Sequence, residues 1–188
     1  MNKSIIKYLL IGIAIYLISI NSVSAQQHQH SEQHNNNNFR SPYVEQLDSP
    51  VRGLSSSEVD NLLNGKGAGY ARMAELNGYP GLRHVLDLSS QLNLSSKQKT
   101  KIQAAFEEMQ SQAKTIGKTI VSKEQKLSEA FALGKITNIE LEKQTEELAK
   151  LYGELRKTHL QAHLEINPLL STEQIKKYNQ IRGYEIAK

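Results

Sequence analysis

The sequence predicts an all-α fold: a long antiparallel helical hairpin with short flanking helices. Over two long stretches, apolar or small residues recur at alternating spacings of four and three, which is the period of helices that pack side by side. A short turn from Gly134 to Asn138 separates these stretches, so the two helices must run antiparallel. No segment alternates apolar and polar residues for long enough to predict a strand.

The first 25 residues have the three-part layout of a secretory signal peptide. Lys3 and Lys7 give a positive start, Tyr8 to Ile20 form an apolar run, and Val23-Ser24-Ala25 offers small residues to signal peptidase. A membrane anchor is the alternative, but a spanning helix needs about 20 apolar residues, and the chain turns polar at Asn21. We therefore expect cleavage after Ala25, with export from the cytoplasm and no stable membrane anchor.

The composition of the mature chain indicates one slim domain. About 160 residues remain after cleavage, and with no Trp and three Phe the core must be aliphatic. The absence of Cys excludes a lipobox, disulfides and thiolate metal sites. Removal of Lys3 and Lys7 reduces the net charge from +4 to +2, with 21 basic and 19 acidic residues, so nothing argues for nucleic acid as a partner.

Residues 26–50 form a polar, low-complexity segment that predicts a disordered tail. The tail carries His28, His30 and His34. Cleavage would leave the Gln26 amine two residues before His28, an arrangement that can bind Cu(II) or Ni(II) through a square-planar set of nitrogens. Cyclisation of Gln26 would abolish this site, and such tails are often only spacers.

Residues 51–79 predict a short helix at Ser56 to Leu63, followed by a flexible glycine-rich joint. Gly65-Lys66-Gly67-Ala68-Gly69 lacks the P-loop pattern. The segment from Asn77 to Gly81 is a strong turn signal.

Residues 80–184 predict four helices. The first runs from Leu82 to about Leu92, and Ser95 or Ser96 caps the second, which ends at Gly134. Thr137 or Asn138 caps the third, Pro168 stops it, and a short fourth helix ends at Gly183. The predicted seams of the long helices consist of Ile102, Phe106, Met109, Ala113, Ile116, Ile120, Leu127 and Phe131, and of Leu141, Thr145, Leu148, Tyr152, Leu155, His159, Ala162 and Ile166. Each seam is too narrow to form a core alone, so we expect both covering by the short helices and association of two copies.

Two short motifs flank the long hairpin and carry a family resemblance. Leu94-Ser95-Ser96-Lys97-Gln98 and Leu170-Ser171-Thr172-Glu173-Gln174 both fit Leu-Thr/Ser-x-x-Gln. In this the chain resembles the Spy/CpxP-like periplasmic proteins over roughly residues 80 to 184. The resemblance implies a hooked hairpin that dimerises into a cradle, and relatives that are ATP-independent chaperones, a stress-sensor inhibitor or metal-binding and metal-sensing domains. It also implies a periplasmic location, and unfolded proteins or an envelope sensor protein as partners.

The motif residues themselves predict architecture and no active site. Leu94 and Leu170 pack under helix starts, Ser95 and Ser171 cap them, and Gln98 or Glu173 completes a capping box. Gln98 and Gln174 are the glutamines of the two motifs.

Two histidines on the third helix predict a metal site. His159 and His163 are four residues apart and therefore face the same side, where two imidazoles can reach one metal. Leu160 stands where a zincin needs Glu, which argues against metalloprotease chemistry. With the turn centred near residue 135, His163 lies opposite Glu108. The preceding helix folds back along the hairpin, which places His84 at the same height as this pair.

The predicted ligand set is therefore His84, Glu108, His159 and His163. Such donors suit zinc, nickel, cobalt or copper. The alternative is a half-buried histidine that only donates a hydrogen bond.

Basic residues on the second helix favour a chaperone, because a cradle lined by aliphatic side chains and rimmed with lysines can hold unfolded chains weakly. The alternative is a solvated helix face. The lysines are Lys97, Lys99, Lys101, Lys114, Lys118, Lys123 and Lys126.

No Ser-His-acid constellation can be assembled, so we expect a binding protein and not an enzyme. The sequence predicts an exported stress chaperone or, alternatively, a metal-binding accessory protein, with no cofactor required.

Overall fold

A computed structural model describes residues 40–49 and 51–184. The expected signal peptide and the tail histidines His28, His30 and His34 lie outside the described residues. The described part contains α-helices and no strand, which confirms the all-α prediction. Its helices are α1 (Ser56–Leu63), α2 (Arg72–Leu76), α3 (Leu82–Asp87), α4 (Ser96–Ala132), α5 (Asn138–Ile166) and α6 (Thr172–Arg182), with 3-10 turns at Val44–Asp48 and Asn167–Leu169.

The long helices α4 and α5, of 37 and 29 residues, form the predicted hairpin. Gly134 follows the end of α4 with a φ of +62°, a conformation that glycine adopts without strain. Thr137 caps α5, because its Oγ1 accepts a hydrogen bond from the Glu140 amide at 3.2 Å. An ion pair between Lys123 and Glu147 links the two helices, in agreement with a turn centred near residue 135.

The first short helix packs across the middle of the hairpin. A Cβ on Gly117 of α4 would lie 2.0 Å from the Leu62 carbonyl oxygen, so this contact requires glycine. The buried cluster at this crossing is formed by Val51, Leu54, Val59, Leu62, Ala113, Ile120, Leu148 and Leu155. The helix predicted at Ser56 to Leu63 is present, and its aliphatic side chains cover the hairpin seam, as expected for a short flanking helix. Val44–Asp48, within the expected disordered tail, forms a 3-10 turn with no buried residue.

The base of the hairpin holds a second buried cluster, to which α3 and α6 contribute. Tyr178 of α6 is fully buried there. The other buried members are Leu82, Val85, Leu92, Ile102, Ala162, Ile166 and Leu170. Helix α3 ends at Asp87, five residues earlier than predicted, and turns continue to Asn93. Ser89 and Ser90 explain the early end, since serine favours turns over helix interiors.

The two family-type motifs meet at this base. Ser95 and Gln98 form a capping box, as do Ser171 and Gln174, so the residue that completes the second box is Gln174 and not Glu173. The glutamine side chains also bond to each other, with Gln98 Nε2 donating to Gln174 Oε1 at 2.8 Å. Their amide groups further donate to main-chain oxygens across the base, Gln98 to Leu169 at 2.8 Å and Gln174 to Leu92 at 3.2 Å. We call this arrangement the glutamine clasp.

None of the described helices is both long enough and apolar enough to cross a membrane.

Candidate functional site

A cavity of about 550 Å³ lies where the glycine-rich loop, α2 and α3 face the hairpin. It has the volume of a small-molecule site. We call it the histidine cavity, because His84, His159 and His163 all line it. Its walls also include the loop Gly65–Gly69 and the side chains of Arg72, Glu75, Leu82, Phe106, Met109 and Arg182.

His84 lies in a network around Glu75. Its Nδ1 is 2.9 Å from Glu75 Oε1, which also accepts the Tyr178 hydroxyl and lies 3.3 Å from an Arg182 nitrogen. Burial alone would raise the pKa of Glu75, but the Tyr178 hydrogen bond and the attraction of His84 outweigh it, so that this pKa is lowered. Burial and the Glu75 hydrogen bond raise the pKa of Tyr178. The network therefore holds an ionised carboxylate beside His84 and ties α2 and α3 to α6.

The two histidines of α5 are both buried, but their partners differ. His163 Nδ1 donates to the Tyr79 carbonyl oxygen at 2.9 Å. His159, 4% exposed, stacks on Tyr70 with ring centroids 5.7 Å apart, and its Nε2 has no hydrogen-bond partner among the described residues. Burial, and next the nearby His163, lower the pKa of His159, so its imidazole is held neutral.

The structure brings the three predicted histidines to one cavity but leaves Glu108 outside it. Glu108 is exposed and accepts a hydrogen bond from Gln112 Nε2 at 2.6 Å. The carboxylate beside His84 belongs instead to Glu75, which sequence reasoning missed. Helical spacing could not identify Glu75, because it lies on a different helix from any of the histidines.

The residues around Gly81 show how closely these groups converge. A Cβ on Gly81 would lie 3.3 Å from His84 Nδ1, 3.4 Å from His163 Cε1 and 3.7 Å from Glu75 Oε2. Within residues 40–49 and 51–184, however, no three His, Asp or Glu side chains already stand in a metal-holding arrangement. The recorded hydrogen bonds of His84 and His163 use only Nδ1, so a metal could bind through Nε2 with these bonds kept, provided that the side chains move closer together.

A second surface lies at the other end of the hairpin. Residues 121–147, which we call the distal hairpin, contain no buried residue, and Ile120 and Leu148 are the last buried side chains on α4 and α5. The distal hairpin exposes Phe131 by 55%, Leu133 by 66% and Ile139 by 81%. Of the predicted basic residues, five are exposed and two are partly buried. The exposed ones are Lys97, Lys99, Lys101, Lys118 and Lys126, and the partly buried ones are Lys114 and Lys123.

A repeated helix-start motif that closes the base of a long hairpin defines a class of all-α hairpin proteins. Residues 83–182, more than half of the chain, match the LTXXQ motif family protein model, and the chain belongs to this family. The family includes the Spy/CpxP-like proteins, is in general associated with the periplasm or envelope, and is not known as enzymatic. No curated protein and no solved structure matched the chain.

Proposed function

We propose that this protein is an exported, ATP-independent stress chaperone of the Spy/CpxP type that holds unfolded proteins on its distal hairpin. The observation that carries the proposal is the absence of any buried residue between Val121 and Glu147. Two helices without a covering element leave apolar side chains in contact with water, and such exposed patches are typical of interaction surfaces.

The composition of the distal hairpin suits weak and general binding. Phe131, Leu133 and Ile139 offer apolar contact without a shaped pocket, and the four lysines and six glutamates of residues 121–147 can form ion pairs with client residues of either sign. Exposed ion pairs of this kind contribute little affinity each. An unfolded chain can therefore bind and leave without nucleotide hydrolysis.

The test is suppression of aggregation in metal-free buffer without ATP. A client protein is diluted from guanidinium into the mature chain, and light scattering is followed. We expect suppression near stoichiometric protein, and the double variant Phe131→Ser/Ile139→Ser should need about tenfold more protein, because roughly 1.5 kcal/mol of apolar contact is lost.

The matched control is Leu164→Ser, which removes an equally exposed apolar side chain of α5 outside the distal hairpin. It should suppress aggregation as well as the unaltered protein does. A lack of suppression by the unaltered protein, or equal losses in the control and the double variant, would rule out the distal hairpin as the client surface.

A second candidate function is metal binding at the histidine cavity, favoured by the convergence of Glu75, His84 and His163 around Gly81. Imidazole and carboxylate donors suit zinc, copper or nickel, and His159 lies one turn away from His163, with an Nε2 that bonds to no residue of the described ranges. In this proposal Glu75 takes the place that spacing assigned to Glu108.

Calorimetric titration with zinc, copper(II) and nickel(II) tests this second candidate. The titrations use a chain that lacks residues 26–39, so that the tail histidines do not contribute. His163→Ala, His159→Ala and Glu75→Gln should each lower affinity about tenfold or more, and Glu108→Gln, in the exposed carboxylate, should leave it unchanged. Equal affinities for all four variants, or no binding of any of the three metals, would count against the site.

A further inference from the structure

The glycine-rich wall of the histidine cavity has unused hydrogen-bond donors. The amides of Lys66, Tyr70 and Arg72 donate to main-chain oxygens, but those of Gly67, Ala68 and Gly69 donate to no described residue. Ala68 and Gly69 have positive φ values of +42° and +80°. Successive amides in a tight turn of this kind provide partial positive charge for an anion.

The four cationic side chains that line the cavity differ in whether they form an ion pair with a described residue. Lys66 pairs with Asp60, Arg83 with Asp87 and Arg182 with Glu75. Arg72 is the remaining Lys or Arg of the lining, and within the described part of the chain its guanidinium forms no ion pair or hydrogen bond. The Arg72 Nη2 would lie 2.9 Å from a Cβ on Gly69, so the free guanidinium stands beside the turn with the unused amides.

Another part of the cavity lining is apolar. Leu82, Phe106 and Met109 line it, and none of these side chains offers a strong hydrogen-bond donor or acceptor. His159 also lines the cavity, and its buried Nε2 has no partner among the described residues. One cavity thus combines an apolar wall with a cation and amides that bond to no described residue.

We propose that the histidine cavity binds a small amphipathic carboxylate, with the carboxylate group held by Arg72 and the Gly67–Gly69 amides and the apolar part on Phe106 and Met109. A guanidinium binds a planar carboxylate through two parallel hydrogen bonds. Because Arg72 is the one lining cation that pairs with no described residue, a monoanion is favoured over a phosphate dianion. This inference does not rest on the chaperone function.

The test uses octanoate as the probe, titrated calorimetrically into the mature chain in metal-free buffer. We expect saturable binding of one octanoate per chain, at least about tenfold tighter than 1-octanol, because a charge-assisted hydrogen bond is lost with the alcohol. Acetate, which lacks the apolar part, should bind more weakly still. Equal affinity for octanoate and 1-octanol, or for octanoate and acetate, would overturn the proposal.

Two variants locate the site. Arg72→Gln should lower octanoate affinity about tenfold, whereas Arg52→Gln, at an exposed arginine outside the cavity lining, should leave it unchanged. Both positions are on the surface, so both variants should fold. Unchanged affinity in Arg72→Gln would reject the site.

The outcome is independent of the chaperone test. Phe131→Ser/Ile139→Ser should retain octanoate binding, because its substitutions lie in the distal hairpin. Loss of octanoate binding in this variant would show adsorption to the distal hairpin and would contradict the cavity site.

Discussion

At the scale of single residues, His159 shows how burial and chemistry are connected. Its ring is stacked on Tyr70 and shielded from water, yet Nε2 has no partner among the described residues. An unpaired buried polar atom costs about 1–3 kcal/mol, so a leucine would pack there at lower cost. The imidazole is therefore a candidate for function rather than for stability.

The lowered pKa of His159 predicts a pH dependence of stability. An unfolded chain takes up a proton at this histidine near pH 6.5, and the folded chain does so only at lower pH. The unfolded state then binds more protons, so the free energy of unfolding should fall as the pH drops below 6.5, by at most about 1.4 kcal/mol per pH unit.

Denaturant unfolding of the mature chain between pH 7.5 and 5 measures this slope, and His159→Leu should reduce it. Folding also lowers the pKa of Glu75, so this carboxylate stabilises the fold above its unfolded pKa of 4.5 and loses that effect only as the pH falls below this value. It therefore contributes little to the slope between pH 7.5 and 5. His163, which faces His159, is present in both proteins. An identical slope in the variant would show that His159 is not the titrating group.

At the scale of secondary structure elements, Gly117 decides whether α1 can pack on α4. Gly117→Ala should destabilise the fold by about 2 kcal/mol, because the added Cβ would overlap the Leu62 carbonyl oxygen. Helix propensity acts in the opposite direction, since alanine is favoured over glycine by about 1 kcal/mol inside a helix.

Gly153 of α5 supplies the matched control, because a Cβ there would meet no atom within 4 Å. Gly153→Ala should therefore stabilise the fold by up to about 1 kcal/mol. Thermal unfolding of both variants measures the contrast. If Gly117→Ala also stabilised the protein, α1 would not pack on the hairpin as described.

The element boundaries that the sequence predicted well are those with a local chemical signal. Ser95 and Thr137 cap their helices by accepting hydrogen bonds from amides three residues later, and Gly134 and Gly183 end helices in left-handed conformations. Helix α2 was missed, because its five residues have no cap and no apolar period. The sequence therefore predicts a helix most reliably where a capping side chain and a glycine mark its two ends.

At the scale of the whole molecule, the hairpin register was predictable but the face of each side chain was not. A turn near residue 135 determines which residues of α4 lie opposite which residues of α5, and the Lys123–Glu147 ion pair fits this register. Glu108 nevertheless points to solvent, since a rotation of α4 by part of a turn moves a side chain from cavity to surface. The covering of the seam by a short helix was expected, but its position across the middle of the hairpin was not predictable, because it depends on contacts between distant segments. The homodimer stays a prediction.

The glutamine clasp has a consequence for how the two motifs depend on each other. Each motif marks the start of its own helix, but Gln98 and Gln174 also bond to one another and to Leu169 and Leu92 across the base. Replacement of one glutamine removes the bond between the two amides and the side-chain donor of one main-chain oxygen, while the other glutamine keeps the bonds to its own helix start and across the base. Two segments that look like independent local signals therefore also share a long-range contact, so the effect of replacing one glutamine depends on whether the other is present.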